Sequence, residues 1–248
     1  MIRTWLRAAA LLLVPFQLFA TSLSVRSGRT RCRKLGRPHF AIQVGTALGA
    51  LLVVSTAWAG APTDQLKNGI DRVIKILEDP AMKPETKGKD RRAVVRKIAN
   101  ELFDFGETAK RSLGRHWQAR SEKEREEFVS LFADLLERSY IGKIDLYGGE
   151  KVVYGGENVE GDLATVRTKI VTKQGTEASI DYRLIKRSDK WMVYDVVIEN
   201  VSLVSNYRTQ FNKIIQTASY QELLKKMKTK QDEFNIEEEA ALKKGVKN

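Results

Sequence analysis

Few residues of this chain have the types and spacing that catalysis needs. His116, between Arg115 and Trp117, and His39 are its two histidines, and Cys32 is its one cysteine. A nucleophile needs a base within reach, and Ser or Thr alone does not make one. Asp104 and Glu107 are spaced as a carboxylate pair, yet the same spacing puts Asp104 at the start of a short helix, where its charge is favourable. Asp181 and Asp195, on two predicted strands, are the carboxylates that could serve a pocket as acid or base. "YGGE" occurs at 147–150 and again at 154–157, but neither copy opens a helix as a phosphate cradle must. A metal would have only scattered carboxylates to hold it. No catalytic residue, metal or cofactor is therefore assigned. One polar cluster remains, Asn206, Tyr207, Arg208 and Gln210, inside the apolar run "YDVVIENVSLVSNYRTQFNKII". It reads as the polar side of a helix, with Asp195 and Arg208 expected to form a structural clamp between strand and helix.

The formal net charge of +12 is unevenly spread. Eight of the 43 basic residues, and none of the 31 acids, lie in residues 1–59. The remainder is close to balanced, which argues against nucleic acid as a partner. The basic stretch "RSGRTRCRKLGRPH", the uncharged apolar run "FAIQVGTALGALLVVST" and the small residues of "AWAGA" have the order of a Sec-type signal peptide. Cleavage is expected after Ala59, with retention as a membrane anchor as the alternative. Residues 1–24 form an extension ahead of that signal, consistent with a later translation start. Cleavage removes Cys32 and His39, so disulfides and thiol chemistry are excluded from the mature chain.

The elements that must position any site follow from periodicity. Leu66, Ile70, Val73, Ile74 and Leu77 mark one amphipathic helix, and Val94, Ile98, Leu102 and Phe105 a second. Ser121 and Glu124 form a capping box before a long helix with Phe128, Leu131, Phe132, Leu135, Leu136 and Tyr140 on one face. After Gly142 the period changes to two. Four strands are expected, in "KVVYGGE", "LATVRTKIVTK", "EASIDYRLIKR" and "KWMVYDVVIE". In the last, Met192, Tyr194, Val196 and Ile198 fall on one face and Trp191, Val193 and Val197 on the other. Ser202 caps a following helix striped with Leu203, Tyr207, Phe211, Ile214 and Ala218. The expected fold is α+β: a curved four-stranded antiparallel sheet with amphipathic helices packed over it, enclosing an apolar cavity. Residues 60–230 make one domain, and the highly charged 231–248 are expected as a disordered tail.

Over about residues 62–230 the chain resembles the MlaC, or toluene-tolerance, family. The resemblance is carried by "KWMVYDVVIENVSLVSNYRTQF", by "LFDFGETAKRSLGRHW" and by "EFVSLFADLLERSYIGKI". Asn200 stands where many relatives have Gly, and Asn tolerates left-handed backbone. The resemblance implies a periplasmic phospholipid-binding carrier, not an enzyme, that uses no nucleotide. Its implied partners are phospholipid, an inner-membrane MCE-type ring protein of an ABC transporter and an outer-membrane lipoprotein complex. The implied role is maintenance of outer-membrane lipid asymmetry, usually by retrograde transport.

An acyl-chain site would draw on the apolar faces. The candidates are Val166, Ile170, Ile180, Tyr182, Tyr194 and Val196 from the sheet, with Leu102, Phe128, Phe132, Leu135, Tyr207 and Phe211 from helices. Each of these fits a dry core equally well. Two other readings stay open: an enzyme on a related cone-shaped α+β fold with a small hydrophobic substrate, and a periplasmic adaptor that binds no ligand.

Overall fold

The first helix, α1 (Ala61–Glu78), begins where a strand of the sheet reaches it: the backbone N–H and hydroxyl of Thr63 both donate to Glu157 Oε2, at 2.9 and 2.5 Å. A computed structural model describes residues 61–82 and 84–245. The leader expected at 1–59, its cleavage site, Cys32 and His39 lie outside the described residues. Helix α1 ends before a 3₁₀ turn at Pro80–Met82, and α2 (Pro84–Leu102) follows with a kink at Lys87 (φ −130°, ψ 27°). Helix α3 (Phe105–Leu113) is capped by Asp104, whose carboxylate accepts from the Glu107 N–H at 2.8 Å. Asp104 thus has the capping place its spacing suggests. Helix α4 (Glu122–Ile141) opens with the expected capping box: Ser121 N–H donates to Glu124 Oε2 at 2.8 Å and Glu124 N–H to Ser121 Oγ at 3.3 Å. A 3₁₀ segment, Gly142–Leu146, leads into the sheet.

The sheet is an antiparallel meander of β1 (Lys151–Glu160), β2 (Leu163–Val171), β3 (Glu177–Arg187), β4 (Lys190–Ile198) and β5 (Val201–Ser202), in sequence order. The expected four strands are therefore five. The fifth exists because Glu199 (φ 47°) and Asn200 (φ 65°) both take left-handed backbone. Two such residues form the tight turn that folds a chain back on itself, so Val201 pairs with Ile198 and Ser202 with Val197.

The register of β3 against β4 slips between Arg183 and Leu184, leaving Tyr194 as an extra residue on β4. This bulge corrects the strict alternation expected for that strand. Val193 lies opposite Leu184, and Val196 opposite Tyr182. Trp191 and Val193 therefore share the helix-covered face with Val196 and Ile198. The α2–α3 corner secures the bulge: Asp104 N–H donates to the Val193 carbonyl at 2.9 Å and the Thr108 hydroxyl to that of Tyr194 at 2.9 Å.

Helix α5 (Leu203–Thr217) is capped by Ser202, and α6 runs Tyr220–Gly245. Helix thus extends into 231–248, where disorder was expected. Glu, Lys, Gln and Ala are good helix formers, and Lys230–Glu233 forms an ion pair there. One core cluster lies between α1 and the sheet: Leu66, Ala164, Val166, Leu184, Trp191 and Val193. A second apolar region joins α4, α5 and α6, where Phe128, Phe132, Tyr207, Phe211 and Tyr220 pack ring against ring. No described helix is long and apolar enough to cross a membrane.

Candidate functional site

Helix α2 lies along two adjoining apolar pockets. The first, of about 390 Å³, is roofed by Leu66, Ile70, Val73, Ile74 and Leu77 of α1, with Val95, Ala99 and Leu102 of α2. Its floor is Val152, Ile170 and Tyr182 from three successive strands. The second, of about 320 Å³, lies toward α4, with Leu136, Phe105, Tyr194, Val196, Ile198 and Leu203 in its wall. Ala99, Phe103, Tyr140, Ile144 and Tyr182 belong to both. This junction contains no charged residue.

Charge sits elsewhere on the walls. The first pocket has Lys143 and Glu150, both in the segment between α4 and β1 that also holds the exposed Leu146. Beside them the Tyr147 hydroxyl donates to Glu78 Oε1 at 2.9 Å. The second has Arg96 and Glu137, paired at 2.5 Å, and Asp195. The two tyrosines of the junction are held neutral. Burial pushes the hydroxyls of Tyr140 and Tyr182 up to about 12, in Tyr140 against a smaller opposing pull from Tyr207.

Asp195 is the buried carboxylate an enzyme would require, but its oxygens are occupied. Oδ1 accepts from Val204 N–H at 3.0 Å, and Oδ2 accepts from Ser202 Oγ at 2.6 Å and Arg183 Nη1 at 3.0 Å. The group ties β4 to β3 and to the start of α5. The expected clamp between Asp195 and Arg208 is not the pairing found. Arg208 projects from α5 toward α3, its stem crossing Gly114 and its Nε donating to the Arg111 carbonyl at 2.8 Å. Gly114 has φ +57°, and a Cβ there would lie 3.3 Å from Arg208 Cδ. Asp181, the other strand carboxylate considered, pairs in register with Arg167 and Val197 on the face away from Tyr182. His116 Nε2 lies 3.0 Å from Asn212 Oδ1, and the residue lines neither pocket.

The predicted acyl-chain residues divide. Leu102, Ile170, Tyr182, Tyr194 and Val196 stand on the pocket walls. Val166 is in the core cluster under α1, and Ile180 packs with Ile198. Leu135 is buried beside Leu136, which does reach the second pocket. Phe128, Phe132, Tyr207 and Phe211 are assembled with one another: ring centroids lie 5.8 Å apart for Phe128–Phe132, 4.9 Å for Phe132–Tyr207 and 5.1 Å for Phe132–Phe211. The stripe of α1 and the junction residue Ala99 were absent from the sequence-based set. The stripe's spacing marked a buried face, but nothing in the spacing says that the face opposes a pocket.

A profile described as MlaC protein matches residues 67–229. The chain belongs to the MlaC family. Every pocket residue named above except Leu66 falls inside the MlaC match. The intermembrane phospholipid transport system binding protein MlaC of Haemophilus influenzae is 24% identical over 186 residues, covering 73% of this chain and 87% of that one. A solved structure of a phospholipid-binding protein from Ralstonia solanacearum, in complex with a phospholipid, superposes with a TM-score of 0.60 at 22% identity. It covers 69% of this chain and 97% of its own. That likeness shows that the fold of this MlaC family member is shared with the Ralstonia protein.

Proposed function

We propose that this protein is an exported phospholipid-binding carrier, with the two adjoining pockets acting as one compartment for acyl chains. The observation that carries the reading is the pair of apolar pockets meeting at an uncharged junction beneath α2. Exposing an acyl chain to water costs about 0.8 kcal/mol per CH₂, so a free phospholipid moves through an aqueous compartment very slowly. A protein that hides the chains and leaves the headgroup in water removes that barrier. The walls fit this division, because none of the residues shared by the two pockets is charged. The acyl-chain residues of this proposal are Leu102, Ile170, Tyr182, Tyr194 and Val196, joined by Ile70, Ile74, Leu77 and Ala99.

The named relative supports phospholipid transport as the setting, and the leader-like N-terminus supports the periplasm as the compartment. In that setting the carrier shuttles phospholipid between an outer-membrane lipoprotein complex and the MCE-type ring of an inner-membrane ABC transporter, and so maintains outer-membrane lipid asymmetry. Release requires a partner that opens the pockets or offers a competing one. Asp195, with both oxygens engaged by Arg183, Ser202 and Val204, supports a structural role over acid–base work.

The test is mass spectrometry of the full chain after export and purification from a Gram-negative host. Phospholipid is expected to copurify in near-stoichiometric amount. A lipid-free protein with empty pockets would leave the adaptor reading in possession.

A further inference from the structure

Tyr182 occupies the middle of β3 on the helix-covered face, between Val166 of β2 and Val196 of β4. A side chain there stands roughly perpendicular to the sheet, so its hydroxyl is carried off the sheet toward α2. The residue is on the wall of both pockets. Of the other tyrosines, Tyr147 donates to Glu78 at 2.9 Å, Tyr220 donates to the Glu124 carbonyl at 3.0 Å, and Tyr140 interacts with Tyr207, while Tyr194 lines the second pocket but not the first. The half-buried Tyr182 hydroxyl has no hydrogen-bond partner among the described residues, and desolvation alone raises it. It stays protonated at neutral pH and is a ready donor. The Tyr154 hydroxyl, on the next strand but one, is buried without a partner, but it is not on a wall of either pocket.

A donor on an apolar pocket wall can bond to water while the pocket is empty, and it needs an acceptor from the ligand once lipid displaces that water. Between its two chains a phospholipid carries two ester carbonyls, which are neutral acceptors. Its phosphate is charged and favours a cation, and the junction residues Ala99, Phe103, Tyr140 and Ile144 supply none. We infer that the Tyr182 hydroxyl donates to an ester carbonyl of the bound lipid, so that the ester linkage lies at the junction and an acyl chain enters each pocket. Tyr182 is then the residue that selects ester-linked over ether-linked lipid. This rests on the carrier reading.

The experiment incubates the purified protein with vesicles containing equal amounts of a diester phosphatidylcholine and its dialkyl-ether counterpart, which has the same chains without the carbonyls. Bound lipid is then measured by mass spectrometry. About a fivefold excess of diester is expected on the protein, the factor one net hydrogen bond gives. Tyr182→Phe should bind both lipids equally, and Tyr154→Phe should keep the excess. Equal binding of the two lipids by the unaltered protein overturns the inference while leaving the carrier reading intact. So does an excess that survives Tyr182→Phe or vanishes in Tyr154→Phe. Binding of neither lipid overturns the carrier reading itself, and this inference with it. The comparison on the unaltered protein decides even if Tyr182→Phe fails to fold.

Discussion

The carboxylate of Asp195 shows how much of a site-like cluster is structural. It is 2% exposed, and its three donors come from β3, from the strand-to-helix turn and from the first turn of α5. Removing it orphans the buried Val204 N–H and the Ser202 hydroxyl, so Asp195→Ala is expected to cost about 2–4 kcal/mol in urea unfolding. Arg183 is 44% exposed in its pair with Asp195, and water screens such a pair. Its coupling to Asp195 in a double-mutant cycle should be about 0.5–1 kcal/mol. Arg208→Ala should cost about 1 kcal/mol, the worth of one hydrogen bond to a carbonyl, and should add to Asp195→Ala with no coupling beyond about 0.5 kcal/mol. A larger coupling between Asp195 and Arg208 would restore the direct clamp that their types first suggested.

Among the elements, α1 leaves no room for a side chain at Gly69, where it faces Leu102. A Cβ there would fall 2.5 Å from both Cδ atoms of Leu102 and 2.8 Å from its Cγ. Leu102 is a pocket residue at the end of α2, so a methyl group at position 69 drives it toward the pocket space. Gly69→Ala gains about 1 kcal/mol of helix propensity and loses about 1–3 kcal/mol to overpacking. Urea unfolding should show a net loss of at most about 2 kcal/mol, while amide exchange in α1 stays slow. Faster exchange across α1 would mean that the helix itself is displaced. The helices and the first four strands were legible in the sequence because period and caps are local: Asp104, Ser121 and Ser202 all cap as their positions suggest. The bulge at Tyr194 was not legible, since no glycine or turn residue marks it and its partners lie on the α2–α3 corner. The fifth strand was half visible: Asn200 was read as tolerant of left-handed backbone, but not Glu199 beside it.

At the scale of the whole domain, the buried apolar residues among those described divide between a packed ring cluster and the pocket walls. The rings of Phe128, Phe132, Tyr207 and Phe211 fill the space between α4, α5 and α6, each being at most 1% exposed. The faces of α1 and α2 over the sheet leave pocket space instead. Periodicity cannot separate the two, because it reports that a face is turned from water and not what stands opposite. That is why the aromatic residues entered the sequence-based site while the α1 stripe did not. The division predicts a dissociation of stability from cargo. Phe132→Leu should lower unfolding free energy by about 1–3 kcal/mol through lost ring packing, with copurified phospholipid unchanged. Ala99→Trp, at the junction of both pockets, fills space that is open and should leave stability within about 1 kcal/mol while most of the lipid is lost. Both quantities come from one preparation, by urea unfolding and by lipid extraction with mass spectrometry. If Phe132→Leu empties the protein of lipid and Ala99→Trp does not, the acyl chains lie among the aromatic rings and the pockets under α2 are incidental.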